Sequence, residues 1–487
     1  MFIRLILLLL FCVNLCYAQV CSDLRYNDSL FDVDITYNVQ YQSAKPYGSV
    51  INLPYNLDVY EPDGDSLIYR PLVLFQFGGA YLIGDKLNPP GPAFCTHWAQ
   101  RGYVAVSIDY RLGFNTAITG SAERAVYRGC QDLQAALRFL IDERDTYGID
   151  TSRIIVAGNS AGAVSTLHCA FMDYDQVPAS ISGFGFGLDS DDLGDPWSSG
   201  NNNFGNQEVF PDALILNWGG ILDVSFVGDR PDDFIPSILF HGDQDNAMPY
   251  DSGTPFGYPA FPTLYGSLPV SNQMSLTGIP HQFYTFQGAG HEPELTNIAY
   301  LDTILDYSDD FVFNHVVKPN IIGVTGNTLT AITEVETYQI QMDDPLDSVC
   351  YWLKQGLGII DELTPGTYTV DWQNTGTDSL YFIVSNDVHA FDTICVPVQI
   401  DSALALNEIK AEGIDIYPNP VGAYLRINSK RFGSLGASFE VFDVGGKLHA
   451  EGNLIKSQIE LGEIPPGIYV LTIRVNNTVY RSKFVKL

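Results

Sequence analysis

A chain of 487 residues exceeds what one hydrophobic core fills, so two or more domains are expected. Apolar residues make up 46% and charged residues 17%, enough buriable side chain to fold and too little charge for a disordered acidic polymer. The 57 Asp and Glu against 25 Lys and Arg leave a formal charge of −32, whose field repels nucleic acid, anionic lipid and other polyanions and argues against them as partners.

Residues 1–18 read as a signal peptide: Arg4 is followed by an apolar run from Leu5 to Val13, with Cys16 and Ala18 as small residues before the cleavage point. That run is too short to span a bilayer, and no later stretch is long enough, so no transmembrane segment is expected in the mature chain. Beyond the signal, six cysteines remain: Cys21, Cys95, Cys130, Cys169, Cys350 and Cys395. An even count suits an oxidising compartment. Cys350 and Cys395 are the two in the β-rich middle of the chain, and a disulfide between them is the expected pairing. No C-x-x-C and no closely spaced His pair is present, so a metal is not expected, and the chemistry read below requires no cofactor.

From about Leu53 to Asn314 strand-like apolar runs alternate with helical segments, the pattern of an α/β domain built on a mainly parallel sheet, and residues 19–316 are expected to form that domain. The expected strands are Pro71 to Phe77, Tyr103 to Asp109, Arg153 to Gly158, Ala213 to Trp218, Ser237 to His241 and Gln282 to Phe286. Between them, Leu133, Ala136, Leu137, Leu140 and Ile141 have helical spacing and predict a helix over 130–146. The stretch 183–210 is rich in Gly, Asn, Ser and Asp and unpatterned, which suits a rim or lid; calcium at Asp189 to Asp195 is the weaker expectation, behind a solvated loop. From 317 to 403 short Thr-, Val- and Tyr-rich runs broken by Gly-Asn and Pro-Gly turns predict a small β-sandwich. A second strand-rich segment covers 413–487, after the connector Leu404 to Glu412.

The chemistry is concentrated in the first of these regions. Gly158-Asn159-Ser160-Ala161-Gly162 follows the apolar strand Ile154-Ile155-Val156-Ala157 and opens a helix, the setting of a nucleophile elbow. A Ser hydroxyl attacks only when a base takes its proton and a carboxylate orients that base. His291, in the small-residue loop Gln287-Gly288-Ala289-Gly290 after a strand, is the candidate base, ahead of His241 and His281. Asp245 is the candidate acid; Asp243 competes, but lies closer to the strand end, where it would tighten the turn. Oxyanion donors are expected from the backbone N–H groups of Gly78, Gly79 and Ala161.

Several segments together resemble a known group. Leu57-Asp58-Val59-Tyr60-Glu61-Pro62, Gly78-Gly79-Ala80-Tyr81, Asp109-Tyr110-Arg111-Leu112, Gly148-Ile149-Asp150, Gly158-Asn159-Ser160-Ala161-Gly162 and His241-Gly242-Asp243-Gln244-Asp245 are similar to the carboxylesterase and hormone-sensitive-lipase branch of α/β-hydrolases, over roughly Leu53 to Asn314. The resemblance implies a serine esterase working through an acyl-enzyme, with Asp245 four residues after the strand-end His as acid and His291 as base. Where that family's oxyanion loop begins with His, this chain has Phe77. Ile416-Tyr417-Pro418-Asn419-Pro420, Phe439 to Lys447 and Pro466-Gly467-Ile468-Tyr469 resemble the type A sorting domain of type IX secretion, which implies that machinery as partner and release or attachment outside the cell. The expected substrate is a small-molecule or polysaccharide-linked ester. A serine peptidase and a non-catalytic adhesion or binding protein on a hydrolase fold are the rival readings.

Overall fold

The computed structural model describes residues 25–118, 120–183, 189–196, 207–259, 261–332, 334–344, 347–402, 415–417, 421–428, 437–443, 447–454, 458–462, 464–475 and 478–486. The signal-peptide reading, Cys21 and the connector 404–412 lie outside these residues. One compact unit runs through Pro319 and takes in Ser385–Phe391, and a second comprises Asn320–Val384 and Asp392–Leu487.

The first unit is organised by an eight-stranded sheet made of β1 (Asp32–Ala44), β2 (Leu53–Asp63), β3 (Arg70–Gln76), β4 (Val104–Ile108), β5 (Ile149–Asn159), β6 (Ala213–Asn217), β8 (Ser237–Gly242) and β11 (His281–Phe286). Their order is β1-β2-β4-β3-β5-β6-β8-β11. From β4 onward every neighbour is parallel, whereas β1 with β2 and β2 with β4 are antiparallel. The central strands read as unbroken apolar runs because helices cover both faces: all five residues of β4 and of β6 are buried. Each of the six expected strands is present within a few residues. β1 and β2 are additions; β1 is a half-exposed edge strand whose partly buried positions are diluted by polar residues.

Helices α1 (Gly91–Gln100), α2 (Ser121–Asp142), α3 (Ala161–Phe171), α4 (Ser267–Thr277) and α5 (Ile298–Val312) accompany the sheet. The helix expected over 130–146 begins nine residues earlier, at Ser121. Its first turns carry Arg124 and Arg128, both buried, so apolar periodicity does not reveal them. Arg124 donates to the carbonyls of Ser180 and Asp191, and both arginines pair with Asp189 at 3.0 and 2.7 Å. This corrects the calcium expectation for Asp189, since two guanidiniums already neutralise the carboxylate an ion would need.

A minor three-stranded sheet of β7 (Gly220–Ile221), β9 (Ser252–Gly253) and β10 (Leu264–Gly266) lies in the same unit. In the second unit, β12 (Ile321–Thr325), β14 (Val335–Met342), β16 (Gly358–Thr364) and β17 (Thr367–Trp372) form one sheet, and β13 (Leu329–Ala331), β15 (Ser348–Leu353), β18 (Gly376–Ser385) and β19 (Phe391–Asp401) another. Tyr338, Tyr368 and Trp372 from the first and Leu380, Phe382 and Val398 from the second share one core, which makes this a sandwich. The strand-rich segment from Asp415 likewise has two sheets and a core of its own, around Leu425, Val441 and Leu471.

The expected Cys350–Cys395 disulfide is not formed. Cys350 is on β15 and Cys395 on β19, and β18 runs between them. Two strand spacings amount to about 10 Å, beyond the roughly 7 Å that a disulfide can bridge without moving backbone. Cys95, Cys130 and Cys169 are buried, and burial pushes each thiol up, away from the reactive thiolate.

Candidate active site

Parallel strands deliver their C-terminal ends to one edge of the sheet, and β3, β5, β8 and β11 each bring a functional loop there. At the end of β5 the chain turns abruptly through Ser160, whose φ of 49° and ψ of −118° are outside the ordinary regions for an L-residue. The glycines on either side are dictated by space. A Cβ on Gly162 would lie 1.9 Å from the Gln76 carbonyl oxygen, and one on Gly158 would lie 2.5 Å from the Gly162 backbone. The Ser160 N–H is held by the Asn217 carbonyl at 2.9 Å, which ties the turn to β6.

The three residues singled out from the sequence converge here. His291 Nε2 is 2.9 Å from Ser160 Oγ, and His291 Nδ1 is 2.6 Å from Asp245 Oδ2. The other carboxylate oxygen of Asp245 accepts the N–H groups of Ala247 and Met248, both at 2.8 Å. Asp243 lies apart from the ring; its carboxylate accepts the Gly288 N–H at 2.7 Å and so braces the loop that carries His291. Burial pushes the Asp245 carboxyl up, but hydrogen bonds from His241 and His291 outweigh it and hold the group well below the usual carboxylate range.

His241 has a part in the site that the sequence does not disclose. It is fully buried, with Nδ1 2.8 Å from Ser267 Oγ and Nε2 3.4 Å from Asp245 Oδ2. The available signal is the four-residue spacing from His241 to Asp245, which by itself marks only the end of a strand.

The oxyanion turn follows β3. Gly79, Ala80 and Tyr81 all have positive φ, at 122°, 53° and 59°. The expectation of three donors needs one correction: the Gly78 N–H is already committed to Asn159 Oδ1 at 2.8 Å. Among the described residues no hydrogen bond occupies the N–H groups of Gly79, Ala80 or Ala161. The turn is also pinned by Tyr81, whose hydroxyl donates to the Ala161 carbonyl at 2.6 Å and lies 2.9 Å from Ser165 Oγ. Phe77, which stands where a His was anticipated, packs its ring on Tyr110 with centroids 4.5 Å apart.

Beside Ser160 opens an apolar pocket, lined by Tyr81, Val126, Met248, Phe256, Phe261 and Leu264 among others. Its outer wall comes from the segment between β8 and α4. The stretch 183–210, expected as a rim or lid, contributes none of the lining among its described residues; Tyr127 and Gln131 of α2 instead hold the carbonyls of Gly194 and Leu193. Phe114 backs the pocket through a ring contact with Phe261 at 5.2 Å. Among the described residues no group of three or more His, Cys, Asp or Glu side chains is arranged to hold a metal ion.

Parts of the chain are shared with known proteins. Residues 57–186 match the BD-FAE family, and residues 415–487 match the secretion system C-terminal sorting domain. Among curated proteins the chain is similar to Lipase 1 of Geotrichum candidum, 30% identical over 118 residues covering 23% of this chain and 21% of the relative. It is also similar to Gut esterase 1 of Caenorhabditis elegans, 25% identical over 197 residues covering 34% and 35%. The chain thus spans about a fifth to a third of the length of these relatives. A solved structure of a Thermogutta terrifontis esterase with propionate bound aligns with 60% of this chain and 97% of its own at 21% identity and a TM-score of 0.41. The chain therefore carries an α/β-hydrolase domain related to the BD-FAE esterases, followed by a type IX sorting domain that addresses it to secretion or the cell surface.

Proposed function

We propose that the protein is a secreted serine hydrolase that cleaves carboxylic esters through an acyl-enzyme. The observation that carries this reading is the unbroken chain from Ser160 Oγ to His291 to Asp245, at 2.9 and 2.6 Å. His291 takes the Ser160 proton as Oγ attacks the ester carbonyl, and returns it to the departing alcohol. Asp245 fixes the tautomer that leaves Nε2 free to accept, and stabilises the imidazolium as it forms. The N–H groups of Gly79 and Ala161, with Ala80 beside them, would receive the oxyanion. Water then attacks the acyl-Ser160 ester by the same route in reverse.

The pocket bears on substrate. Its walls are aliphatic and aromatic, so a carboxylate carried by the acyl group would be buried there without a partner at a cost of several kcal/mol. A compact, uncharged acyl group fits, on either a small alcohol or a polysaccharide; the strong negative charge of the chain further disfavours polyanionic esters. Residues 1–18 as signal peptide, 19–316 as catalytic domain, 317–403 as β-sandwich and 413–487 as sorting domain complete the proposed organisation, with the type IX machinery as export partner.

A fluorophosphonate probe together with a panel of p-nitrophenyl esters tests the proposal. Ser160 should be the labelled residue, and Ser160→Ala should lose both labelling and turnover while unfolding at nearly the wild-type temperature. A wild-type protein that neither reacts with the probe nor hydrolyses any ester would favour the adhesion reading; turnover of peptides alone would favour a peptidase.

A further inference from the structure

Nucleophile, oxyanion turn and base loop come from three strand ends that are far apart in sequence, and one buried side chain reaches two of them while standing next to the third. Asn159, at the end of β5, is 1% exposed. Its Oδ1 accepts the Gly78 N–H at 2.8 Å, and its Nδ2 donates to Glu292 Oε1 at 2.9 Å. The amide can be oriented only one way, because the N–H requires an acceptor and the carboxylate requires a donor.

Both contacts are made at positions under constraint. Glu292 directly follows His291 and is held at φ 48°, a left-handed conformation that L side chains seldom adopt. Gly78 is packed so closely on the elbow that a Cβ there would lie 3.0 Å from Ser160 Cβ. A shift of either loop would therefore move the oxyanion donors or the imidazole directly.

We propose that Asn159 and Glu292 form a latch that sets the oxyanion turn and the His291 loop relative to Ser160, making them positioning residues for the reaction. In this chain the residue before the nucleophile supplies the brace for an oxyanion turn whose first position is Phe77. The inference rests on the reading of Ser160, His291 and Asp245 as the catalytic groups.

Asn159→Asp is the discriminating change in the full-length protein. The new carboxylate still accepts the Gly78 N–H, but it offers Glu292 no donor and faces it with a like charge. Displacing the His291 loop by a fraction of an ångström should lower kcat for p-nitrophenyl acetate by about tenfold to a hundredfold while KM stays within about twofold. Combining it with Glu292→Gln turns the second hydrogen bond around, because the Gln amide can donate to the carboxylate introduced at position 159, and should recover most of the lost kcat. Recovery supports the latch. A kcat for the single variant within about twofold of wild type overturns it, as does a folded double variant no faster than the single one. If Asn159→Asp is recovered unfolded, the double variant decides alone: activity near wild type supports the latch, and a folded double variant with less than about a tenth of wild-type kcat overturns it. Fluorophosphonate labelling of the wild type separates the two levels: an unlabelled, inactive wild type defeats the catalytic reading itself, whereas with a labelled, active one the variants alone decide whether the latch exists.

Discussion

Asp245→Asn puts the orientation of the His291 ring to a direct test. In the wild type one carboxylate oxygen faces two backbone N–H groups, those of Ala247 and Met248, and the other faces His291 Nδ1. An amide placed there has one acceptor and one donor, and the two N–H groups will claim the acceptor. Its NH2 must then point at the ring, where it can donate only to an unprotonated Nδ1. The proton of neutral His291 is driven to Nε2, which can no longer accept from Ser160. The serine-protease precedent for this substitution is a loss of about 10⁴ in kcat, or about 5.5 kcal/mol of barrier. The fold should survive, since both backbone hydrogen bonds are kept. Steady-state hydrolysis of p-nitrophenyl acetate by the variant, with Asp243→Asn measured alongside, gives the answer. A larger loss in the Asp243 variant, or a loss below about tenfold in the Asp245 variant, would refute the reasoning.

Other expectations reach beyond the acid. Ser160→Gly should be more stable than Ser160→Ala by about 1 kcal/mol in urea titration, because both lose the hydroxyl but glycine alone relaxes at φ 49°; equal midpoints would mean that the elbow stores no strain. His168 is fully enclosed, with Nδ1 bonded to the Val164 carbonyl and Nε2 accepting the Leu222 N–H, and burial depresses it to about 4. Its folded value lies below the unfolded one, so its contribution is complete above about pH 6.5 and is lost as pH falls toward 4, on the order of 3 kcal/mol in all; a His168→Gln variant should show a flatter dependence of unfolding free energy over that window. A chain ending near Ser402 should hydrolyse esters normally when purified, yet remain in the periplasm of its native host; fractionation that found it secreted would overturn the role given to the segment after Gly413.

What can be read from the residues alone is what depends on short-range pattern. Apolar runs locate six strands of the large sheet, most plainly the inner ones, because a parallel strand covered on both faces has little polar alternation to disguise it; β11, at the edge, is only partly buried. Gly158 and Gly162 around Ser160 are legible because only a residue without a side chain fits so tight a turn. The order Ser160, Asp245, His291 follows from the loops that strand ends must place at one edge. The change of texture after Pro319 marks the two β-rich segments.

Tertiary structure decides which polar groups find which partners. Arg124 and Arg128 extend α2 backwards because Asp189 and the Ser180 and Asp191 carbonyls come to meet them, a pairing across more than fifty residues that no helical period contains. Gly78 has the position of an oxyanion donor, but Asn159 occupies its N–H. Cys350 and Cys395 share a sandwich, but β18 separates their strands. The pocket wall comes from the loop after Asp245 and not from the Gly- and Asn-rich stretch. Apolar periodicity is written locally, because burial of a strand or helix face depends on that element's own residues; hydrogen-bond partners and strand neighbours are set only when distant segments meet, and a buried donor or acceptor then takes whichever group the fold presents to it.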